Sequence, residues 1–188
     1  MPLKKPKLTQ PKEYTPRDDF RTPFYAVECI VPYIPKDIPI WECAYGEGHI
    51  VRALKYFNFN VYSSDIFENG ADFKVDFLKD SSPLSKPFTI ITNPPYSLKK
   101  EFIHRALEYD VPFAFLISAD YSQWLINVLE TSNVQRITPR KRINFITPHR
   151  KLNTTSYFHT YWLVRYFNLP KDEIFVDINT KGLHPLRS

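Results

Sequence analysis

Two hydrophobic periods alternate along the chain. Phe24 to Ile34 carries Ala26, Val27, Ile30, Val31 and Ile34 at helical spacing behind Thr22-Pro23, a cap and a proline, and a helix is predicted there. An apolar run from Ile38 to Ala44, a short helical pattern from His49 to Phe57 and a strand-like stretch from Asn60 to Ile66 together spell a β-α-β unit. A weak strand is expected at Lys74 to Leu78 and a strong one at Phe88 to Thr92. A helix follows at Leu98 to Tyr109, a buried strand at Pro112 to Ser118 and a helix at Ser122 to Glu130. Further strands are expected near Val134 to Ile137, Arg142 to Ile146 and Ser156 to Phe167, the last two as a hairpin. Pro170 then ends the packed sheet before a short strand or tail at Ile174 to Ile178. Strands alternating with helices predict a mostly parallel α/β sheet. Residues 1–19, rich in Lys, Pro and Thr, read as a flexible basic arm ahead of a single domain over 20–188, with no separate recognition domain.

Composition supports one core packed on rings: 188 residues, 43% hydrophobic, with 15 Phe, 12 Tyr and 3 Trp. The apolar run around Val111 to Ala119 is far shorter than the roughly 20 residues of a membrane-spanning helix. The basic, proline-containing N-terminus leads into no apolar segment, so a soluble protein working in the cytoplasm is expected. Cys29 and Cys43 have neither the number for a disulfide framework nor the spacing of a zinc site; they read as buried thiols, and no metal is expected.

Charge changes the picture more. The net charge is +5, but Lys4, Lys5, Lys7 and Lys12 stand in the first 12 residues without an acid. Arg136, Arg140, Lys141, Arg142, Arg150 and Lys151 belong to a second acid-free stretch, 131–171. Such a strip attracts a polyanion through counterion release, and nucleic acid is the partner it suits.

Candidate chemistry gathers where strands end. Two of the 4 glycines, Gly46 and Gly48, lie in the turn Glu42-Cys43-Ala44-Tyr45-Gly46-Glu47-Gly48-His49 between the first strand and its helix, where the backbone bends sharply or approaches a ligand. The third glycine of a dinucleotide fingerprint is absent, Val51 standing in its place. The next strands end in Ser63-Ser64-Asp65-Ile66 and Val75-Asp76-Phe77, so that Glu42, Asp65 and Asp76 face one crevice beyond the carboxyl ends of a parallel sheet. Asp65 suits two ribose hydroxyls, and Asp76 an exocyclic amine with Phe77 against the ring. The strongest strand ends in Thr92-Asn93-Pro94-Pro95-Tyr96. Two prolines fix φ and remove two donors, which holds the Asn93 side chain and the Pro94 carbonyl as acceptors in a stiff frame with Tyr96 able to stack on a base. Two acceptors facing a planar amino group favour its pyramidal, lone-pair-localised form.

In this order and spacing, these motifs resemble class I S-adenosylmethionine-dependent methyltransferases of the adenine-N6 DNA type, particularly the small phage and prophage forms, over roughly residues 20–165. The resemblance implies a Rossmann-like, mostly parallel seven-stranded sheet with an antiparallel last strand and helices on both faces. It further implies S-adenosylmethionine as cofactor and methyl transfer to adenine N6 in DNA. Thr22 and Pro23 would close over the cofactor methionine; Glu42, Cys43, Ala44, Gly46 and Gly48 would form the turn beside its amino acid moiety. Asp65 and Ile66 would sit at the ribose, Asp76 and Phe77 at the cofactor adenine, and Asn93 beside the cofactor. Asn93, Pro94, Pro95 and Tyr96 would form the catalytic acceptor frame. The chain departs from the family in carrying Tyr45 where a small residue is usual, and in having no gap between motifs that would hold a target-recognition region. That leaves the strip Arg136 to Lys151, with Phe145 and His149 among its charges and Tyr157, Phe158 and Trp162 packed beneath, to contact nucleic acid, or a partner subunit or oligomer to supply specificity. The same acceptor frame serves adenine in RNA or a protein glutamine amide, and a non-catalytic nucleic-acid-binding or partner subunit is the reading from another class.

Overall fold

In the computed structural model, which describes residues 20–146 and 156–180, eight strands form one sheet in the order β3-β2-β1-β4-β5-β7-β6-β8. The expected arm 1–19 and the candidate residues Arg150 and Lys151, with His149, lie outside the described residues. The first half follows the hydrophobic pattern closely: β1 (Ile40–Glu42), α2 (His49–Tyr56) and β2 (Val61–Asp65) form the β-α-β unit, with β1 parallel to β2. The short β3 (Phe73–Lys74) extends that edge, and β4 (Thr89–Thr92) and β5 (Phe113–Ser118) continue the parallel sheet on the other side, joined by α3 (Lys99–Tyr109).

β5 shows why these central strands read as unbroken apolar runs. Ala114 and Leu116 pack into one core with Ile50 and Leu54 of α2, while Phe113, Phe115 and Ile117 pack into a second with Phe102 and Ile103 of α3 and Leu125 of α4 (Gln123–Thr131). A strand buried on both faces has no polar side to show. Each fully buried Phe or Ile contributes roughly 1.5–3 kcal/mol relative to exposure, so the two cores dominate the stability of the sheet.

Besides β3, which covers Phe73–Lys74 where a strand over Lys74 to Leu78 is expected, four differences from the sequence pattern have local physical causes. The first helix, α1 (Phe24–Glu28), stops early and continues as a 3-10 turn, Val31–Tyr33. Pro32 has no N–H for an α-helical bond to Glu28 and its ring would clash there. Pro23 itself is the N-cap residue, with no side-chain cap bond. Arg142 to Ile146 is not a strand of a hairpin with β7 (Thr160–Arg165). Both hydrogen-bonding edges of β7 are taken, antiparallel to β5 on one side and to β6 (Val134–Pro139) on the other. The segment instead buries Ile143 and Phe145, donates the Asn144 N–H to the Tyr25 hydroxyl at 2.9 Å and makes an isolated bridge from Ile146 to Arg21. Finally, Pro170 does not end the sheet. β8 (Glu173–Val176) pairs parallel with the free edge of β6. The reversed strand expected last is therefore the seventh, followed by an eighth running with the majority.

The topology positions the site. β1, β2, β3, β4, β5, β6 and β8 run one way, so their carboxyl ends and the start of the reversed β7 share one edge.

Candidate active site

At that edge a cavity of about 500 Å³ opens between the turn after β1, the ends of β2 and β3, and the tetrapeptide after β4. The turn after β1 is held by the acids around it. Glu42, 1% exposed, accepts the Ala44 N–H at 3.0 Å and the Thr92 hydroxyl. Burial pushes its carboxyl up to about 8, against those two hydrogen bonds, and the neighbouring Asp65 charge adds to the rise. Asp65 ends β2 and ties the turn from the other side: one carboxylate oxygen accepts the Gly46 N–H at 2.9 Å, the other the Phe67 N–H at 3.0 Å. Gly46 (φ +56°) and Gly48 (φ +73°) both take the left-handed conformation that glycine adopts without penalty. A Cβ on Gly48 would fall 2.6 Å from the Tyr45 ring. The unusual Tyr45 thus folds over the second glycine, filling space that glycine leaves.

Of the residues singled out in this half, Thr22, Cys43, Ala44, Gly46, Ile66 and Asp76 line the cavity together with Glu42 and Asp65. Pro23 and Gly48 do not. Burial, reinforced by the Glu42 charge, raises the Cys43 thiol well above its ordinary range, so Cys43 offers a neutral wall. Asp76 is tied locally, accepting the Leu78 N–H at 3.0 Å and pairing with Lys79 at 2.9 Å. Phe77 lines the cavity as well, as a ring 1% exposed and stacked on Phe102 at 4.9 Å.

The tetrapeptide supplies the other wall. Asn93 and Pro95 line the cavity; Pro94 is buried behind it. The Asn93 Nδ2 donates to the Phe20 carbonyl at 2.8 Å, which turns Oδ1 the other way, and Oδ1 is buried without a hydrogen-bond partner among the described residues. A buried carbonyl oxygen left so costs about 1–3 kcal/mol, a penalty that a bound donor removes. Tyr96 stands outside the cavity lining, in an aromatic cluster. Phe20 stacks on it at 5.2 Å and 26°, and Phe158 meets it edge-on at 5.7 Å.

Phe20, Arg21, His49 and Lys79 also line the cavity and were not singled out in the sequence. Arg21 pairs with Glu47 at 2.6 Å and bridges to Ile146. No local signal marks Phe20 and Arg21, because their partners Asn93, Glu47 and Ile146 are distant in the chain, whereas Lys79 and His49 meet the nearby Asp76 and Glu47.

The basic strip is divided. Arg136, on the face of β6, pairs with Glu173 of β8 at 3.1 Å, so its charge is met within the sheet. Arg140, Lys141 and Arg142 are exposed where β6 ends, Arg140 lying 3.8 Å from Asp177 and Arg142 donating to the Ser156 carbonyl at 3.1 Å. Phe145 and Trp162 are core residues, 5% and 0% exposed, whereas Tyr157, expected beneath the strip, is 82% exposed. Among the described residues no group of three or more His, Cys, Asp or Glu could hold a metal ion, and no helix is long and apolar enough to cross a membrane.

No protein-family model matches the chain, and no curated protein matches it significantly in sequence. Solved structures do. The 23S rRNA methyltransferase ErmE superposes with a TM-score of 0.52 at 18% identity, over 78% of this chain and 69% of ErmE. A Pyrococcus horikoshii protein assigned to the RNA methyltransferases superposes with a TM-score of 0.55 at 16% identity, over 84% of this chain and 91% of its own. The fold is therefore the Rossmann-like methyltransferase fold, with the cavity where open α/β sheets bind their ligands.

Proposed function

We propose that this chain is an S-adenosylmethionine-dependent methyltransferase that modifies the N6 amino group of adenine in DNA. The observation that carries the reading is the Asn93 Oδ1, a buried acceptor without a partner among the described residues, on a side chain that lines the cavity together with four acids, Glu42, Glu47, Asp65 and Asp76. The residues present fit the cofactor. Glu42, close to its own titration point, gains by ionising beside a cation; Asp65 keeps acceptor capacity after its two backbone bonds; Asp76 and Ile66 extend the wall. S-adenosylmethionine, when bound, supplies an activated methyl group. The chain's own part is to orient and polarise the acceptor. Asn93 Oδ1 and the Pro94 carbonyl accept from the amino group and concentrate its lone pair, while the prolines keep the two acceptors from turning away. Phe20 covers one face of Tyr96, so a base that stacks there must displace it.

A second reading has one specific observation in its favour: ErmE, whose fold this chain shares, is by name a 23S rRNA methyltransferase. The chemistry is then the same and the nucleic acid is RNA.

Labelled methyl transfer from S-adenosylmethionine to duplex DNA, single-stranded DNA, RNA and a protein extract, with identification of the modified unit, tests both. N6-methyladenine in DNA is expected. Asn93→Ala should lower transfer by at least about 10²-fold while retaining cofactor binding by titration. Label confined to RNA or to glutamine replaces the substrate, and bound cofactor with no transfer to any of the four refutes the enzymatic reading.

A further inference from the structure

The sheet edge that carries the catalytic tetrapeptide continues past it. Next to β4 comes β5, whose exit is Ser118-Ala119-Asp120-Tyr121; then the entrance of β7, Ser156-Tyr157-Phe158-His159; then the exit of β6, Arg140-Lys141-Arg142. Ser118 pairs with Thr160, and the Ala119 N–H donates to the His159 carbonyl at 2.8 Å, which extends the β5–β7 ladder one step toward both tyrosines. Tyr121 is 85% and Tyr157 82% exposed, the two most exposed large rings among the described residues. Because β5 and β7 are neighbours in the sheet and β6 lies next to β7, the two rings and the basic exit of β6 follow one another along this edge.

Both rings are held out on fixed backbone. Asp120 accepts the N–H and the hydroxyl of Ser122 at 3.0 and 2.7 Å, closing a turn around Tyr121. On the other side, Ser156 donates its N–H to Asn144 at 3.0 Å and its hydroxyl to the Phe158 carbonyl at 3.1 Å, which pins the chain on both sides of Tyr157. The acid beside Tyr121 is neutralised, since Asp120 pairs with Lys99 at the start of α3. A row of two exposed rings leading from a nucleobase acceptor to a basic strand exit matches what a single nucleic-acid strand needs: faces for successive bases and cations for the phosphates.

We propose that Tyr121 and Tyr157 form a stacking platform for single-stranded DNA, which seats bases flanking the target while Arg140, Lys141 and Arg142 follow the backbone. A duplex hides its base faces and gains nothing from such a platform, so the surface selects strands already unpaired. The proposal rests on the nucleic-acid reading of the site but not on catalysis.

Fluorescence anisotropy of the full chain with a dye-labelled oligothymidylate, which contains no adenine, separates the platform from capture of a target. Tyr121→Ala and Tyr157→Ala should each weaken binding by about 5- to 150-fold, with Tyr121→Phe close to wild type because stacking needs the ring and not the hydroxyl. Lys141→Ala should lessen the salt dependence by about one counterion. Unaltered thermal melting of the variants establishes that they fold. Unchanged affinity in both alanine variants overturns the platform, as does duplex DNA binding that equals the single strand and falls with it; tighter binding of oligouridylate overturns the assignment to DNA. Tyrosine-dependent binding without methyl transfer keeps the platform and refutes only the enzymatic reading.

Discussion

Glu42→Gln should flatten the pH dependence of stability in the ligand-free protein. Glu42 is fully enclosed between β1, β4 and the glycine turn, and burial holds its folded-state pKa at about 8. In the unfolded chain the same carboxyl titrates near its ordinary value, about 4.3. Between these values the folded protein keeps a proton that the unfolded chain has released. The stability Glu42 contributes is therefore full at low pH and falls as pH rises, by about 1.4 kcal/mol per pH unit, until the folded-state carboxyl ionises near pH 8. From pH 5 to pH 7 the loss is about 3 kcal/mol. Glutamine keeps the shape and an acceptor for the Ala44 N–H but has no proton to lose. Urea unfolding of both proteins at pH 5, 6 and 7 isolates the effect, because every other titrating group is common to the two. The difference between variant and wild type should grow by about 1.4 kcal/mol per unit in favour of glutamine. Parallel stability curves would refute the reasoning and show that Glu42 ionises in the fold as easily as in water.

Other perturbations test the turn and the core. Gly48→Ala should destabilise by about 1–2 kcal/mol from its φ of +73° alone, and adding Tyr45→Ala should recover only what the ring contact costs; chemical denaturation of the single and double variants separates the two. Asp65→Asn sets an amide N–H₂ against one of the backbone N–H groups of Gly46 or Phe67, so a loss of about 1–3 kcal/mol in stability is expected, with weaker cofactor binding by calorimetry. Trp162→Phe removes the indole that donates to the Ala26 carbonyl at 2.8 Å, leaving that buried acceptor only the weak Cys29 thiol donor at 3.2 Å and a void beside it; a loss of at least about 1 kcal/mol should appear as a lower melting temperature.

What the sequence alone determined was local. The β-α-β pattern, the glycine turn and the acids at the ends of β2 and β3 are visible because side-chain period and turn chemistry are properties of neighbouring residues. So is Asn-Pro-Pro-Tyr behind β4, and a parallel sheet puts all these turns on one edge whatever its finer order. The tertiary structure decided the pairings between distant segments. Arg142 to Ile146 alternates as a strand would, yet it is none, because β5 and β6 had already taken both edges of β7. Arg136 reads as one charge of a basic strip until β8 returns past Pro170 and sets Glu173 beside it. Tyr157 and Phe158 are consecutive aromatics, and only the packed fold sends one to solvent and the other against Tyr96. The Asn93 side chain is turned by a carbonyl 73 residues earlier, and Trp162 is tied to one 136 residues away. Periodicity reports on which face of its own element a residue lies; which group meets it there is settled only when the elements exclude one another from the same space.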